Sequence, residues 1–239
     1  MNIQDGERFT LGSDKAKKLL KSVNNTRLYD AVELINSYGS QNSHTEYTKQ
    51  STNEMLREVI NALFYLYSFL LIDFFEKYEF GKNTEIIKTF SILPPIIRYI
   101  TLESLYEKYS DNIHIIDRLA LATVKAFDEA KAQKWVEDNK YVFENLSSMS
   151  DEAAQNMIEQ YGVEFASVII SDAPNMYDLC RDKIRLIDEE IKKRGKMYDD
   201  FESALPHYNE NGTINGDSPE IIQFNAIMEF LYLGRKVRE

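Results

Sequence analysis

Two glutamates, Glu76 and Glu79, have a spacing that suits metal chemistry. On a helix, residues three apart lie on one face, where two carboxylates together can hold a divalent cation. A metal-dependent hydrolase needs a second acidic pair. Glu103, Glu107 and Asp111 follow along the chain but do not repeat the spacing. We therefore expect these glutamates to lie on a solvated helix end without a resident metal.

The segment 207–218 resembles the calcium-binding loop of EF-hand proteins in its middle. Asn209 and Asn211 stand at two of the oxygen-ligand positions of such a loop. His207 and Ser218 occupy the first and last positions, where calcium requires carboxylates. A turn that binds no metal is therefore the predicted structure.

The remaining catalytic signatures are incomplete or missing from the sequence. The single cysteine, Cys180, lies among apolar residues at helical spacing, which is typical of a buried hydrophobic side chain rather than a nucleophile. The chain contains no P-loop, no dinucleotide-binding glycine motif and no nucleophile elbow. We therefore expect a protein that is not an enzyme and that has no cofactor.

Composition and charge restrict the classes of partner. The chain has 39 acidic and 28 basic residues and a net charge of −11, which disfavours binding to nucleic acid. Only 9 glycines and 5 prolines occur, too few for a protein built from many tight β-turns. The polar first residues lack the apolar run of a signal peptide, so we expect a cytoplasmic location, or the virion if the gene belongs to a phage.

The longest helix is predicted between a cap at Ser51 and a left-handed cap at Gly81. Its middle, Val59–Phe75, is apolar on all sides except one narrow stripe, which is typical of a helix surrounded by other helices. This apolar stretch is short for a membrane span and contains the ionisable Asp73. We therefore predict a central bundle helix and no membrane partner.

Other helices are indicated by caps and periodicity along the chain. The segment 163–171 is ambiguous, because its β-branched residues also permit a strand. From these signals we predict a helical bundle over 1–205, a loop over 206–219, and a C-terminal helix and tail over 220–239. The predicted helices lie from about Asn25 to Gly39, Thr84–Phe90, from Pro95, from Asp111 to about Asp138, Asp151–Tyr161, from Asp172 and Glu220–Leu233.

An alternating three-and-four spacing of mostly apolar residues predicts a coiled-coil-like seam. We expect this seam to pack within the bundle, with self-association as the alternative. The seam residues are Tyr177, Cys180, Ile184, Ile187, Ile191, Arg194, Tyr198, Phe201 and Leu205.

The C-terminal helix has almost no polar face, so it must be buried on its own core or on a neighbouring molecule. Together with the seam it supplies the candidate protein-interface residues. These are Tyr177, Ile184, Ile187, Ile191, Ile221, Phe224, Ile227, Phe230 and Leu231.

The sequence thus predicts an all-α, multi-helix bundle with one long central helix and an apolar C-terminal helix. Its expected function is that of a non-enzymatic interaction or assembly protein, for example a structural adaptor or connector subunit of a phage virion that self-associates into a ring. The alternatives are a metal-dependent all-α hydrolase with clustered carboxylates and a regulatory or immunity-type protein that binds a single partner.

Overall fold

The computed structural model describes residues 12–43 and 52–234, and over these residues it contains thirteen α-helices and no β-strand. The predicted all-α fold class is confirmed. The chain divides into two compact units, residues 1–70 and 71–239. The division falls inside the longest helix, whereas the sequence predicted one bundle over 1–205.

The first unit contains α1 (Asp14–Ser22), α2 (Thr26–Ser43) and the start of α3 (Asn53–Tyr78). Helix α1 has no counterpart among the predicted helices. It begins where the Ser13 hydroxyl accepts a hydrogen bond from the Ala16 N–H group. The predicted end of α2 at Gly39 is wrong, because the helix continues through this glycine to Ser43.

The start of α2 agrees with the prediction, since the Asn25 side chain accepts a hydrogen bond of 2.9 Å from the Leu28 N–H group. Asn25 also contacts Tyr65 of α3, and the Arg27 guanidinium lies 4.2 Å from the centre of the Tyr65 ring. Tyr65 is buried, although it belongs to the predicted polar stripe of α3. The polar stripe is thus covered at this point by packing within the first unit.

The long helix α3 is shorter than predicted at its C-terminal end. It ends at Tyr78, and Glu79 adopts a left-handed conformation with φ of +51°. Next, Phe80 is buried, with its ring 4.8 Å from that of Phe75. Burial of this ring draws the chain off the helix axis before Gly81, the predicted cap.

At the N-terminal end, the Thr52 hydroxyl caps α3 by accepting a hydrogen bond from the Met55 N–H group. Ser51, the predicted cap, lies outside the described residues. Among the described residues, α3 is the one helix whose length and apolar composition would allow it to cross a membrane, and 44% of its most apolar stretch is buried. Core helices of soluble proteins also meet these criteria, so the absence of a membrane partner stays a prediction.

The second unit contains the end of α3 and the ten helices that follow. Among these, α4 and the start of α5 at Pro95 agree with the prediction. The ranges are α4 (Thr84–Phe90), α5 (Pro95–Tyr106), α6 (Ile113–Ala126), α7 (Glu129–Asp138), α8 (Lys140–Phe143), α9 (Asp151–Tyr161), α10 (Val163–Ser171), α11 (Met176–Arg194), α12 (Phe201–Asn211) and α13 (Pro219–Leu233).

The continuous helix predicted over 111–138 is two helices in the structure. Asn112, rather than Asp111, caps α6 through hydrogen bonds from His114 and Ile115 N–H groups. Asp128 is fully extended and accepts a hydrogen bond of 2.7 Å from the Lys131 N–H group, so it starts α7 as a new helix. An aspartate in this role competes with continuation of the preceding helix.

The core of this unit forms around α6, which packs against α5, α7 and α11. Ile116, Ala120 and Val124 lie on one face of α6, at helical spacing. They belong to one buried cluster with side chains from the neighbouring helices. The other members are Ala132, Val136, Phe143, Met176, Tyr177, Cys180 and Ile184.

The seam predicted from Tyr177 to Leu205 stops at Arg194, because Gly195 adopts φ of +79° and ends α11. Asp200 and Ser203 then form a capping box that starts α12. This helix continues through Pro206 to Asn211, so the connection predicted as a loop over 206–219 is non-helical only over 212–218.

Residues 207–211 of the calcium-loop-like segment are therefore helical, which departs from the predicted turn. The ambiguous segment 163–171 is the helix α10. The C-terminal helix α13 agrees with the prediction and ends at Gly234, where φ is +65°. Residues 235–239 of the predicted tail lie outside the described residues.

Gly81 lies at a place where two segments of the second unit approach each other closely. Its φ is +109°, and a Cβ atom built on it would lie 2.5 Å from His114 Cδ2 and 3.0 Å from His114 Cβ. We predict that Gly81→Ala lowers the free energy of unfolding by about 2–4 kcal/mol, from backbone strain and steric overlap together. The measurement is urea unfolding followed by circular dichroism.

The control is the same substitution in a His114→Ala background, which removes the imidazole ring but keeps the Cβ atom at 3.0 Å, so the loss of stability should fall to about 1–3 kcal/mol. Equal losses of stability in the two backgrounds would show that contact with His114 does not determine this position.

Candidate functional site

Most of the predicted interface residues lie inside the second unit. Tyr177 and Ile184 of α11 are buried in the cluster around α6, and Ile187 and Ile191 pack against it half-buried. The predicted seam therefore has a partner within its own chain as far as Arg194. The candidate interface residues on this helix are accordingly used for folding.

The C-terminal helix also packs on its own unit. The Phe224 ring lies 5.3 Å from that of Phe74, and Leu231 is buried. The Tyr232 hydroxyl donates a hydrogen bond of 2.8 Å to the Ile92 carbonyl, which fixes the end of α13. Ile221 and Ile227 are half-buried, and Phe230 is the exposed member of the nine predicted interface residues, at 44%.

The carboxylates considered for metal binding are paired with lysines. Glu76 forms an ion pair with Lys108, and Glu79 lies 2.5 Å from Lys82 Nζ. Among the described residues there is no group of three histidine, cysteine, aspartate or glutamate side chains that could hold a metal ion. Burial raises the pKa of the Cys180 thiol to about 12, so this thiol stays protonated at neutral pH.

A pair of helices, α9 and α10, forms a surface whose residues are not among the predicted interface residues. We call residues 151–171 the acidic hairpin, because they contain four acidic residues and no lysine, arginine or histidine. Gly162, with φ of +82°, joins the two helices, which pack mainly on each other. The Tyr161 and Phe165 rings contact across the turn, with centroids 5.9 Å apart.

The two ends of the acidic hairpin are fixed to each other by backbone hydrogen bonds. The Ser148 N–H group donates to the Pro174 carbonyl at 3.0 Å, and the Met176 N–H group donates to the Leu146 carbonyl at 2.8 Å. Each flanking segment continues into the core of the unit, since Phe143 and Met176 are buried. The hairpin thus has a rigid attachment to that core.

The acidic hairpin exposes large apolar side chains to solvent. Tyr161, Val163, Phe165 and Val168 are each more than half exposed, and Ala166 is the only residue of the two helices that is buried. A cluster of large apolar side chains on a surface is typical of an interaction site. The sequence signal was the apolar run 163–171, which had no evident partner strand.

A second feature, the cationic cleft, lies where the start of α5 and the ends of α6 and α11 meet. It has a volume of about 230 Å³, and the charged side chains that line it are Arg98, Lys125, Glu190, Arg194 and Lys196. The Arg98 side chain is only 8% exposed, and its Nε atom has no hydrogen-bond partner among the residues that the structure describes. A buried guanidinium without a full set of partners is costly for the fold.

The pKa values of two groups in the cationic cleft respond to this environment. Burial, and secondarily the Arg118 charge, lower the pKa of Arg98 to about 10. Burial, together with the positive charges of Arg98 and Arg118, lowers the pKa of Lys125 to about 8. Both pKa values are lowered because a positive charge is less stable in the cationic cleft than in water.

No protein-family model matches the chain, and no curated protein or solved structure matches it. The two surfaces are therefore interpreted from their own geometry and charge.

Lys125 should make the stability of the protein depend on pH. The pKa of Lys125 is about 8 in the folded state, below the ordinary value of 10.5. Below pH 8 the side chain is therefore charged in both states, and the charge costs more free energy in the folded state than in the unfolded state. Stability should then rise as the pH increases from 8 to 10.5 and the buried charge is lost. We predict that Lys125→Met raises the Tm at pH 7 by roughly 3 °C in phosphate-free buffer, and that this gain shrinks towards pH 10.5.

Differential scanning calorimetry over this pH range checks the prediction. Lys134→Met is the matched control, because Lys134 is an exposed lysine paired with Asp138 at 2.6 Å. A gain from Lys125→Met that is constant from pH 7 to 10.5 would contradict the assigned cause.

Proposed function

We propose that this protein is a non-enzymatic helical interaction protein that binds a partner protein through the acidic hairpin. The observation that carries the proposal is the exposure of Tyr161, Val163, Phe165 and Val168 on two helices that pack mainly on each other. Side chains of this kind are buried in protein interfaces, where aromatic residues contribute strongly to affinity. The rigid base of the hairpin supports the proposal, because a preformed surface loses little conformational entropy on binding.

The charge of the hairpin favours a partner of a particular chemistry. The charged residues of the hairpin are Asp151, Glu152, Glu159 and Glu164, and its sequence contains no positive side chain. A second copy of this surface would bring like charges together, which opposes self-pairing. A basic protein segment with an apolar face, such as an amphipathic helix, would match both the charge and the apolar residues.

The expected assembly role remains part of this proposal. An adaptor or connector subunit of a phage virion is one form of it, and a regulatory or immunity-type protein with a single partner is another. The negative charge of the hairpin favours the protein with a single partner, because it disfavours binding to a second copy of the same chain.

The first test separates these two forms by molar mass. We expect the isolated protein to be a monomer of 27.9 kDa, because the hairpin surfaces repel each other and the α11 seam is used within the chain. Size-exclusion chromatography with light scattering, over a range of protein concentrations, gives the mass directly. A defined oligomer would favour the ring-forming adaptor and would contradict the preference for a single heterologous partner.

The second test addresses the surface itself. We expect Phe165→Glu to weaken partner binding at least tenfold, because it places a charge within the apolar contact, while leaving the Tm nearly unchanged, since Phe165 is 59% exposed. A partner isolated from the source cell is identified, purified and titrated against the wild type and the variant by calorimetry. Binding should also weaken as salt is raised.

The matched control is Leu186→Glu, which introduces the same charge at an exposed apolar residue of α11, outside the hairpin. It should leave the affinity unchanged. An equal loss of affinity in the two variants, or full binding by Phe165→Glu, would reject the hairpin as the binding surface.

A further inference from the structure

The cationic cleft has no role in the proposed partner binding, and its charge is the opposite of that of the whole chain. Four basic side chains and one acidic side chain line it, in a protein whose net charge is −11. The acid, Glu190, is already paired, at 3.2 Å from Arg194 Nε and 3.9 Å from Lys193 Nζ. Arg98, Lys125 and Lys196 have no ion pair with a carboxylate in the part of the chain that the structure describes.

Arg98 is the centre of this arrangement. Its side chain is more than nine-tenths buried, lines the cationic cleft, and leaves Nε without a partner among the described residues. A guanidinium presents its N–H donors in a planar fork that matches the oxygens of a phosphate or carboxylate. The Arg98 guanidinium, with its Nε donor unpaired, thus lines an open volume, and this arrangement is suited to binding an anion.

The backbone adds to the positive potential of the cationic cleft. Pro95, the first residue of the 12-residue helix α5, lines the cleft. No side chain caps this helix end, although Pro95 itself has no N–H group and the Ile97 and Arg98 N–H groups donate to the Pro94 carbonyl. The N-terminal end of a helix favours negative charge and is a common site for phosphate groups.

The cationic cleft also has an apolar and aromatic wall. Ile187, Ile191, Met197 and Tyr198 line it, on the same stretch of chain as Arg194 and Lys196. The volume of about 230 Å³ is smaller than the sites that take drug-sized ligands, which are about 300–1,000 Å³. The cleft thus has room for one anionic group attached to a small apolar or aromatic body.

We propose that the cationic cleft binds a small phosphate monoester, with the phosphate held by Arg98 and Lys125 and the organic part against Tyr198 and Ile187. A phosphate monoester carries nearly two negative charges at neutral pH, which matches the unpaired positive charges better than a single carboxylate does. The proposal is independent of the acidic hairpin, because no residue is shared between the two surfaces.

Isothermal titration calorimetry with phenyl phosphate at pH 7, at an ionic strength kept constant with sodium chloride, tests the proposal. The wild type should give saturable binding with one site per chain. Lys125→Met should bind at least tenfold more weakly, whereas Lys134→Met, which removes an exposed lysine outside the cleft, should match the wild type. Inorganic phosphate should bind more weakly than phenyl phosphate, because it lacks a group for the apolar wall.

Arg98→Met is a second variant, and its fold is checked by circular dichroism before titration. Lys125→Met keeps the proposal testable if Arg98→Met does not fold. The proposal is overturned by an absence of saturable binding to the wild type at 10 mM phenyl phosphate, as an order-of-magnitude ceiling for a specific site. It is equally overturned if Lys125→Met and Lys134→Met have the same affinity, or if inorganic phosphate binds as tightly as phenyl phosphate.

Discussion

The second unit depends on the close packing of α6 against its neighbours. Ile116, Ala120 and Val124 form one buried face of α6, and the small side chain of Ala120 at its centre allows helix axes to approach closely. The helices α5, α7 and α11 all pack against α6, and its buried cluster joins α6 to α7, α8 and α11. Replacing a residue on this face would disturb three helix contacts together, which is the usual behaviour of a closely packed core.

The same packing creates the cationic cleft, because α6, with 14 residues, is shorter than α11, with 19 residues. It ends at Ala126, before Asp128 starts α7, whereas α11 continues to Arg194. Arg98 of α5 and Arg194 of α11 are thereby left facing a space that α6 no longer fills. The cleft is a result of unequal helix lengths, and its chemistry is set by the basic residues at those helix ends.

Local signals in the sequence predicted the helices that start and stop by capping. Thr84–Phe90 and the end of α13 at Gly234 follow from side-chain caps and a glycine with positive φ. Two predicted boundaries were wrong for identifiable reasons. Burial of Phe80 ends α3 early, and the capping box at the start of α12 outweighs the loop signal of Pro206. Periodicity alone extended the seam beyond Gly195, since three-and-four spacing persists by chance across a break.

The candidate sites were harder to predict than the fold. The spacing of Tyr177 and Ile184 predicts contact residues, and both are buried within the chain. A sequence pattern does not tell whether such a contact lies in the same chain or in another. In the sequence, Arg98 is only a charged residue in an apolar segment. Its candidate role in anion binding depends on Lys125, which lies 27 positions later and is brought near it by the fold.

The pairing of Leu146–Ser148 with Pro174–Met176 has a further consequence for how such a protein evolves. Because the chain leaves and re-enters the core at nearly the same place, the 25 residues between Ser148 and Pro174 form an appendage whose length and sequence can change while both ends stay fixed. Substitutions in this segment do not have to preserve side-chain volume, as substitutions in the closely packed core around α6 do. The specificity of the proposed partner binding can therefore change through substitutions in this segment without disturbing the packing of the supporting core.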